Sequence, residues 1–183
     1  IENHYKWVEA AHFLGCHAIR VNLAGANNYD DGIKAGVASL SQLSEFAKGS
    51  NINVLVENHG HFSSNGEWMH KVFSQVKNEN CGTLPDFGNF CIKAGDEGCI
   101  DQYDRYKGVA ELMPYAKAVS AKSNNFDASG DEVAIDYVRM LQIVKDAGYT
   151  GFIGVEYEGD VLSEEEGIVA SRVLLLKSAK KVS

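Results

Sequence analysis

The sequence predicts an α/β fold, a (β/α)8 TIM barrel of which this chain covers roughly strands four to eight, and three observations point there. Short β-rich segments alternate with segments of helical period. The polar ends of successive strands, taken at Asn22, Glu57, Asp86, Ser120 and Glu156, recur at intervals of roughly 30 to 36 residues, the size of one strand-helix unit. No glycine-rich phosphate loop follows any strand, and acidic residues end three separate strands instead of gathering at one switch point, which argues against an open doubly wound sheet. A barrel typically needs about 250 residues. A single domain over residues 1–183 with five units is therefore expected to lack about three N-terminal ones, the alternative being a complete five-stranded open sheet with a leading helix.

The chain opens on a helix, "HYKWVEAAHFLG", and the strands come after it as "AIRVNL" (18–23), "INVLVE" (52–57), "GTLPDF" (82–87), "AVSAK" (118–122) and "GFIGVE" (151–156). Apolar stripes such as Ile33, Val37, Leu40, Leu43 and Phe46, or Ile135, Val138, Leu141 and Val144, repeat every three or four residues and predict helices lying on a sheet. Ser64 with Glu67, Ser129 with Glu132 and Ser163 with Glu166 have the spacing of capping boxes at helix starts. Gly148 marks a helix stop.

A net charge of −8 and the lack of any basic cluster beyond Lys180 and Lys181 speak against nucleic acid as a partner. No apolar run reaches the roughly 20 residues of a membrane-spanning helix, so no membrane is expected and the chain reads as soluble, its compartment unknown. Cys16, Cys81, Cys91 and Cys99 have no zinc-site spacing. Cys91 and Cys99 flank the glycine-rich loop "CIKAGDEGC"; free thiols are the expectation, and a disulfide the alternative if the protein is exported.

Three carboxylates end apolar strands: Glu57 in "VLVENHG", Asp86 in "TLPDFGNF" and Glu156 in "IGVEYEG". Each would lose hydration there, and on one rim they would repel one another, unless a hard divalent cation such as Mg²⁺ or Mn²⁺ compensates them. Capping of the next helix or pairing with a lysine or arginine is the plainer explanation for any one of them. His59 and Lys122 lie two residues beyond Glu57 and Ser120, which in a continuing strand puts them on the same face, toward a substrate; Lys122 has a surface position as its alternative. His61 is read as a loop residue bonding backbone. Arg20 shares a face with Asn22, and turned inward it would meet an anionic substrate group, whereas turned outward it would lie under a helix. Glu158 is either a support for Glu156 or a loop acid.

The combination "VENHG", "LPDFGNF" and "IGVEYEG" resembles the xylose isomerase-like sugar phosphate isomerase/epimerase family along essentially the whole chain. The resemblance implies a metal-binding barrel with Glu57, Asp86 and Glu156 as first, second and fourth ligands, and Mn or Mg, with Zn as a further candidate. The third ligand in that family is a His of an H-x-K motif, whereas "VSAKS" places Ser120 there as the candidate ligand; no histidine occurs after His70. Asn89 matches a substrate-binding position. The resemblance further implies isomerisation or epimerisation of a small sugar through an enediolate, with Glu57 and Glu156 as catalytic acid and base. The alternatives are a non-catalytic sugar-binding barrel, or a dehydratase/lyase on the same scaffold. A zinc nuclease of the same barrel type would need histidines that the late half lacks. An exposed edge strand makes a homo-oligomer a further expectation.

Overall fold

The computed structural model describes residues 1–182. The chain runs α1 (Glu2–Phe13), β1 (Ala18–Val21), α2 (Tyr29–Lys48), β2 (Asn53–Glu57), a 3₁₀ turn (His61–Ser64), α3 (Gly66–Phe73), β3 (Cys81–Leu84), the hairpin β4 (Cys91–Gly95) and β5 (Gly98–Gln102), α4 (Arg105–Leu112), a second 3₁₀ turn (Met113–Tyr115), β6 (Val119–Ser123), α5 (Tyr137–Asp146), β7 (Ile153–Tyr157) and α6 (Glu164–Ala179).

β1, β2 and β3 pair in parallel, as do β6 and β7. Parallel bridges Thr83–Ala116 and Asp86–Ser120 join the two groups, with Ser120 N–H donating to Pro85 O at 2.9 Å and Phe87 N–H to Ser120 O at 3.1 Å. The result is a wall of five parallel strands in sequential order β1-β2-β3-β6-β7, with no reversal of order where a doubly wound sheet would have its switch point. Val54, Val56, Val119 and Ala121 face the helices and join the core built from Leu40, Met69, Leu112 and Met140. Leu55 and Glu57 alternate with these valines and face the other side, where they remain buried.

Several local expectations are corrected. Only Ser163 with Glu166 forms a capping box; α3 is capped by Asn65, whose side chain accepts Trp68 N–H at 3.0 Å, and Ser64 is turned inward instead. No helix starts at Ser129. Glu132 accepts Ala134 N–H at 2.6 Å and Ile135 N–H in the preceding loop, and α5 begins about two turns beyond Ser129, at Tyr137 under the Asp136 cap. Phe46 leaves the predicted stripe and stacks on Tyr5 of α1, ring centroids 3.9 Å apart. Gly148 does stop α5, with φ +72° just beyond the helix end.

The predicted strand 82–87 breaks after Leu84, because Pro85 has no N–H for the ladder. After Asp86 the chain inserts the β4-β5 hairpin, where a simple loop was expected. Its antiparallel pairing sets the Cα atoms of Cys91 and Cys99 5.7 Å apart, within bridging distance, so the expected free thiols are instead a disulfide. Cys16 and Cys81 remain free. Among the described residues no helix is long and apolar enough to cross a membrane.

Candidate functional site

The rim at the C-terminal ends of the strands gathers the three acids. Glu57 is the last residue of β2, Asp86 comes after β3 across Pro85, and Glu156 lies near the end of β7. Each offers one carboxylate oxygen to a group whose members lie within 4.8 Å of one another. Side chains standing on a flat sheet three strand spacings apart would be separated by about 14 Å, so β2 and β7 bring their glutamates together only because the wall bends. A cavity of about 750 Å³, lined by Arg20, Glu57, Leu84, Ser120, Gly154 and Glu156 among others, opens beside them.

The three acids have different surroundings. Glu57 is ion-paired with Arg20 and accepts from Asn89 Nδ2 at 3.1 Å. Asp86 is fully buried; its Oδ1 accepts the N–H groups of Gly88 at 2.9 Å and Asn89 at 2.8 Å, while Oδ2 has no hydrogen-bond partner. Burial pushes the Asp86 carboxyl up to about 7, against the opposing pull of the Lys122 ammonium and the Gly88 N–H, and the charges of Glu156 and Glu57 push the same way as burial. Burial also raises Glu156, but the Ser120 hydroxyl at 2.6 Å and Lys122 at 3.3 Å outweigh it and hold Glu156 below the usual carboxylate range.

Lys122 is 3% exposed, so the surface alternative falls. Its Nζ lies 2.8 Å from Glu158 Oε2 and 3.0 Å from Asn89 Oδ1, as well as close to Glu156. Burial alone would lower its pKa; the bond to Glu158 and the charges of Asp86, Glu156 and Glu158 reverse this and raise it, so the ammonium stays protonated. Gly88 packs on its stem: a Cβ there would lie 2.8 Å from Lys122 Cδ.

Arg20 takes the inward orientation, toward the rim carboxylate of the next strand. Ser120 lies on the same face, and its hydroxyl is committed to Glu156. His59 is placed differently from its neighbours. The strand ends at Glu57, Gly60 turns the chain at φ +82°, and His59 is exposed with its backbone N–H on Ser63 Oγ at 3.0 Å. His61 is also exposed.

Two supporting residues are not among the candidate site residues of the sequence, where Ser64 figures only as a helix cap. Asn58 is fully buried and ties the β2 end to the Asp86–Asn89 loop. Ser64 Oγ donates to Asn89 O at 2.8 Å and accepts Gly60 N–H at 2.8 Å, bracing the same loop. The available signal was a polar Asn58 directly after the apolar run of β2, where a buried amide is tolerated only when it is hydrogen-bonded.

Solved structures share this architecture. A D-tagatose 3-epimerase-like protein matches at 20% identity and TM-score 0.71, covering 97% of this chain and 67% of that one. The IOLI protein with a bound zinc atom matches at 17% identity and TM-score 0.74, covering 100% and 69%. A xylose isomerase-like TIM barrel protein from Mycobacterium smegmatis in complex with magnesium matches at 14% identity and TM-score 0.70, covering 100% and 67%. The chain thus spans about two thirds of the length of these relatives, and at such identities the likeness speaks for the fold alone. No curated protein sequence matches. The model of the xylose isomerase-like TIM barrel matches residues 1–178, and the chain belongs to that family.

Proposed function

We propose that this chain carries the catalytic wall of a divalent-metal-dependent isomerase or epimerase that moves a proton on a sugar or related polyhydroxy carbonyl compound. The wall would be five consecutive units of an eight-unit barrel, with β1 and β7, each paired on one side only, as its edges. The observation that carries the reading is the convergence of Glu57, Asp86 and Glu156 within 4.8 Å around a buried Asp86 oxygen without a partner. An orphaned buried acceptor beside two further carboxylates is costly alone and fits a cation. Glu57, Asp86 and Glu156 would hold Mg²⁺, Mn²⁺ or Zn²⁺, with Ser120 alongside. When bound, the cation polarises a carbonyl and acidifies the adjoining carbon.

The side chains then divide the work. Glu57 and Glu156 stand on strands separated by β3 and β6, so one can take the proton from the carbon and the other return it. Lys122, fixed and protonated, donates toward a substrate oxygen, and Asn89 bridges it to Glu57. Arg20 reaches the same pocket and suits an anionic or hydroxyl-rich substrate end; exposed His59 would meet the substrate at the rim. The zinc and magnesium of two solved relatives and the epimerase-like name of a third support this reading.

Incubation of the protein with Mg²⁺ or Mn²⁺ and a panel of ketoses and inositol ketones in D₂O should incorporate deuterium beside the carbonyl. Glu156→Gln should slow this by about a hundredfold or more. Absence of exchange and of product with every metal would overturn the proposal. One observation favours a second reading: Arg20 and Lys122 already supply cations to Glu57 and Glu156, as in a non-catalytic sugar-binding barrel. That reading predicts sugar binding without exchange, unchanged by Glu57→Gln. A dehydratase or lyase on this scaffold would instead give a product that has lost water or been cleaved.

A further inference from the structure

The β4-β5 hairpin leaves the rim directly beyond Asn89 and Phe90, and Asn89 is where the charges of the rim meet. Its Nδ2 donates to Glu57 Oε1 at 3.1 Å, its Oδ1 accepts from Lys122 Nζ at 3.0 Å, and its N–H donates to Asp86 Oδ1 at 2.8 Å. On the inner side this loop is tied down by Ser64 and Asn58, which both donate to Asn89 O. On the outer side it depends on the hairpin. Phe90 is fully buried against Gly108 of α4, where any Cβ would strike the ring, and Phe90 O accepts Tyr103 N–H at 2.9 Å, the bond that closes the hairpin base. The hairpin itself is thinly supported. β4 packs on the His61–Ser64 turn, β5 is exposed along its whole length, and the register slips twice between Cys91 and Ala94. A two-stranded ribbon of this kind is marginal in water, and the Cys91–Cys99 disulfide closes it into a ring directly beside the Phe90 anchor.

We propose that the Cys91–Cys99 disulfide is a redox latch on the rim: oxidised, it holds the hairpin that keeps Asn89 between Glu57 and Lys122, and reduced, it lets hairpin and loop loosen together. Its effect on turnover rests on the reading of this rim as a sugar-isomerising site; the coupling of hairpin to loop does not. The reductant is a dithiol. Its thiolate attacks the sulfur of exposed Cys99, the S–S bond breaks with Cys91 as the leaving thiolate, and the second thiol of the reductant then releases Cys99. Two electrons and two protons pass to the chain, and the reductant ends as a disulfide. The other two cysteines do not compete for this role. Cys16 lies before β1, at the opposite end of the strand from the rim, and burial pushes the Cys81 thiol up to about 12.

The test is peptide-resolved amide hydrogen exchange on the full chain when oxidised, when reduced with dithiothreitol, and when reoxidised with oxidised glutathione. Deuterium incorporation into the ketose panel with Mg²⁺ is followed in the same states. Reduction should speed amide exchange by about tenfold or more in the hairpin and in the loop 86–90, with β2 and α3 unchanged. Ketose labelling should slow by about tenfold. Reoxidation should restore both. The double variant Cys91→Ser with Cys99→Ser should behave as the reduced protein and ignore dithiothreitol, which sets aside any effect through Cys16. Unchanged exchange over 86–90 on reduction, or equal labelling rates in the two states of a protein that labels, would overturn the latch and leave the disulfide serving the hairpin alone. Cys91 and Cys99 found as free thiols in the oxidised protein would overturn it as well. A loop that responds to reduction in a protein that labels no ketose in any state would uphold the coupling and bring down the isomerase reading instead. If the double variant does not fold, the wild-type comparison decides alone.

Discussion

Asn58 and Asp86 are locked by a two-way bond: Asn58 Oδ1 accepts the Asp86 N–H at 2.8 Å, and Asn58 Nδ2 donates to the Asp86 carbonyl at 3.1 Å. The same Nδ2 reaches the Asn89 carbonyl, also at 3.1 Å. Asn58→Ala would leave buried backbone groups unpaired, and a stability loss of about 2–4 kcal/mol is expected in urea unfolding. Metal affinity should fall by roughly 10- to 100-fold, because the loop that aims Asp86 loses its anchor. Wild-type affinity in a folded Asn58→Ala protein would contradict this.

Asp86 predicts an unusual pH dependence. Its carboxyl is raised from 3.8 to about 7 in the metal-free fold, so between these values the native state holds a proton that the unfolded state has lost. This group's contribution to stability is complete below the ordinary carboxyl range and is lost as pH rises through about 7. The urea midpoint of metal-free wild type, relative to Asp86→Asn, should therefore fall from pH 5 to pH 8. Metal binding needs the carboxylate, so affinity should weaken below neutrality and binding at pH 6 should release a proton.

Lys122 predicts a different signature. Its charge helps hold Glu156 below the usual range, so Lys122→Met should raise the Glu156 pKa. The acidic limb of the activity profile is expected to move up by about one pH unit, with kcat reduced more than KM is raised. An unmoved limb would show that Lys122 serves packing alone.

Gly88→Ala tests the same lysine without touching a charge. The added Cβ would meet the Lys122 stem at 2.8 to 3.0 Å. A stability loss of about 1–2 kcal/mol is expected in thermal or urea unfolding, with a disproportionate loss of activity as the ammonium shifts. Full activity at lowered stability would detach Gly88 from the site.

Much of this site is legible in sequence because strand ends announce themselves. A near-continuous apolar run that stops at Glu57 or Glu156 places a carboxylate on a rim whatever the rest of the chain does. The hairpin is less legible, although "CIKA" and "CIDQ" around "GDEG" carry the alternation and turn residues of a two-stranded ribbon. His59 lies beyond the strand end at Glu57, where strand parity no longer fixes a face, and Gly60 turns the chain directly after it.

Pattern and residue type are enough to set the period of the units and the acids at their ends, since both are local properties of the chain. The folded arrangement alone decides that Arg20 and Lys122 point inward, that Asn58 anchors Asp86, and that one Asp86 oxygen is left bare. These depend on how far the wall bends and which strand ends then meet, and contacts between residues about 30 or more positions apart leave no mark on local spacing.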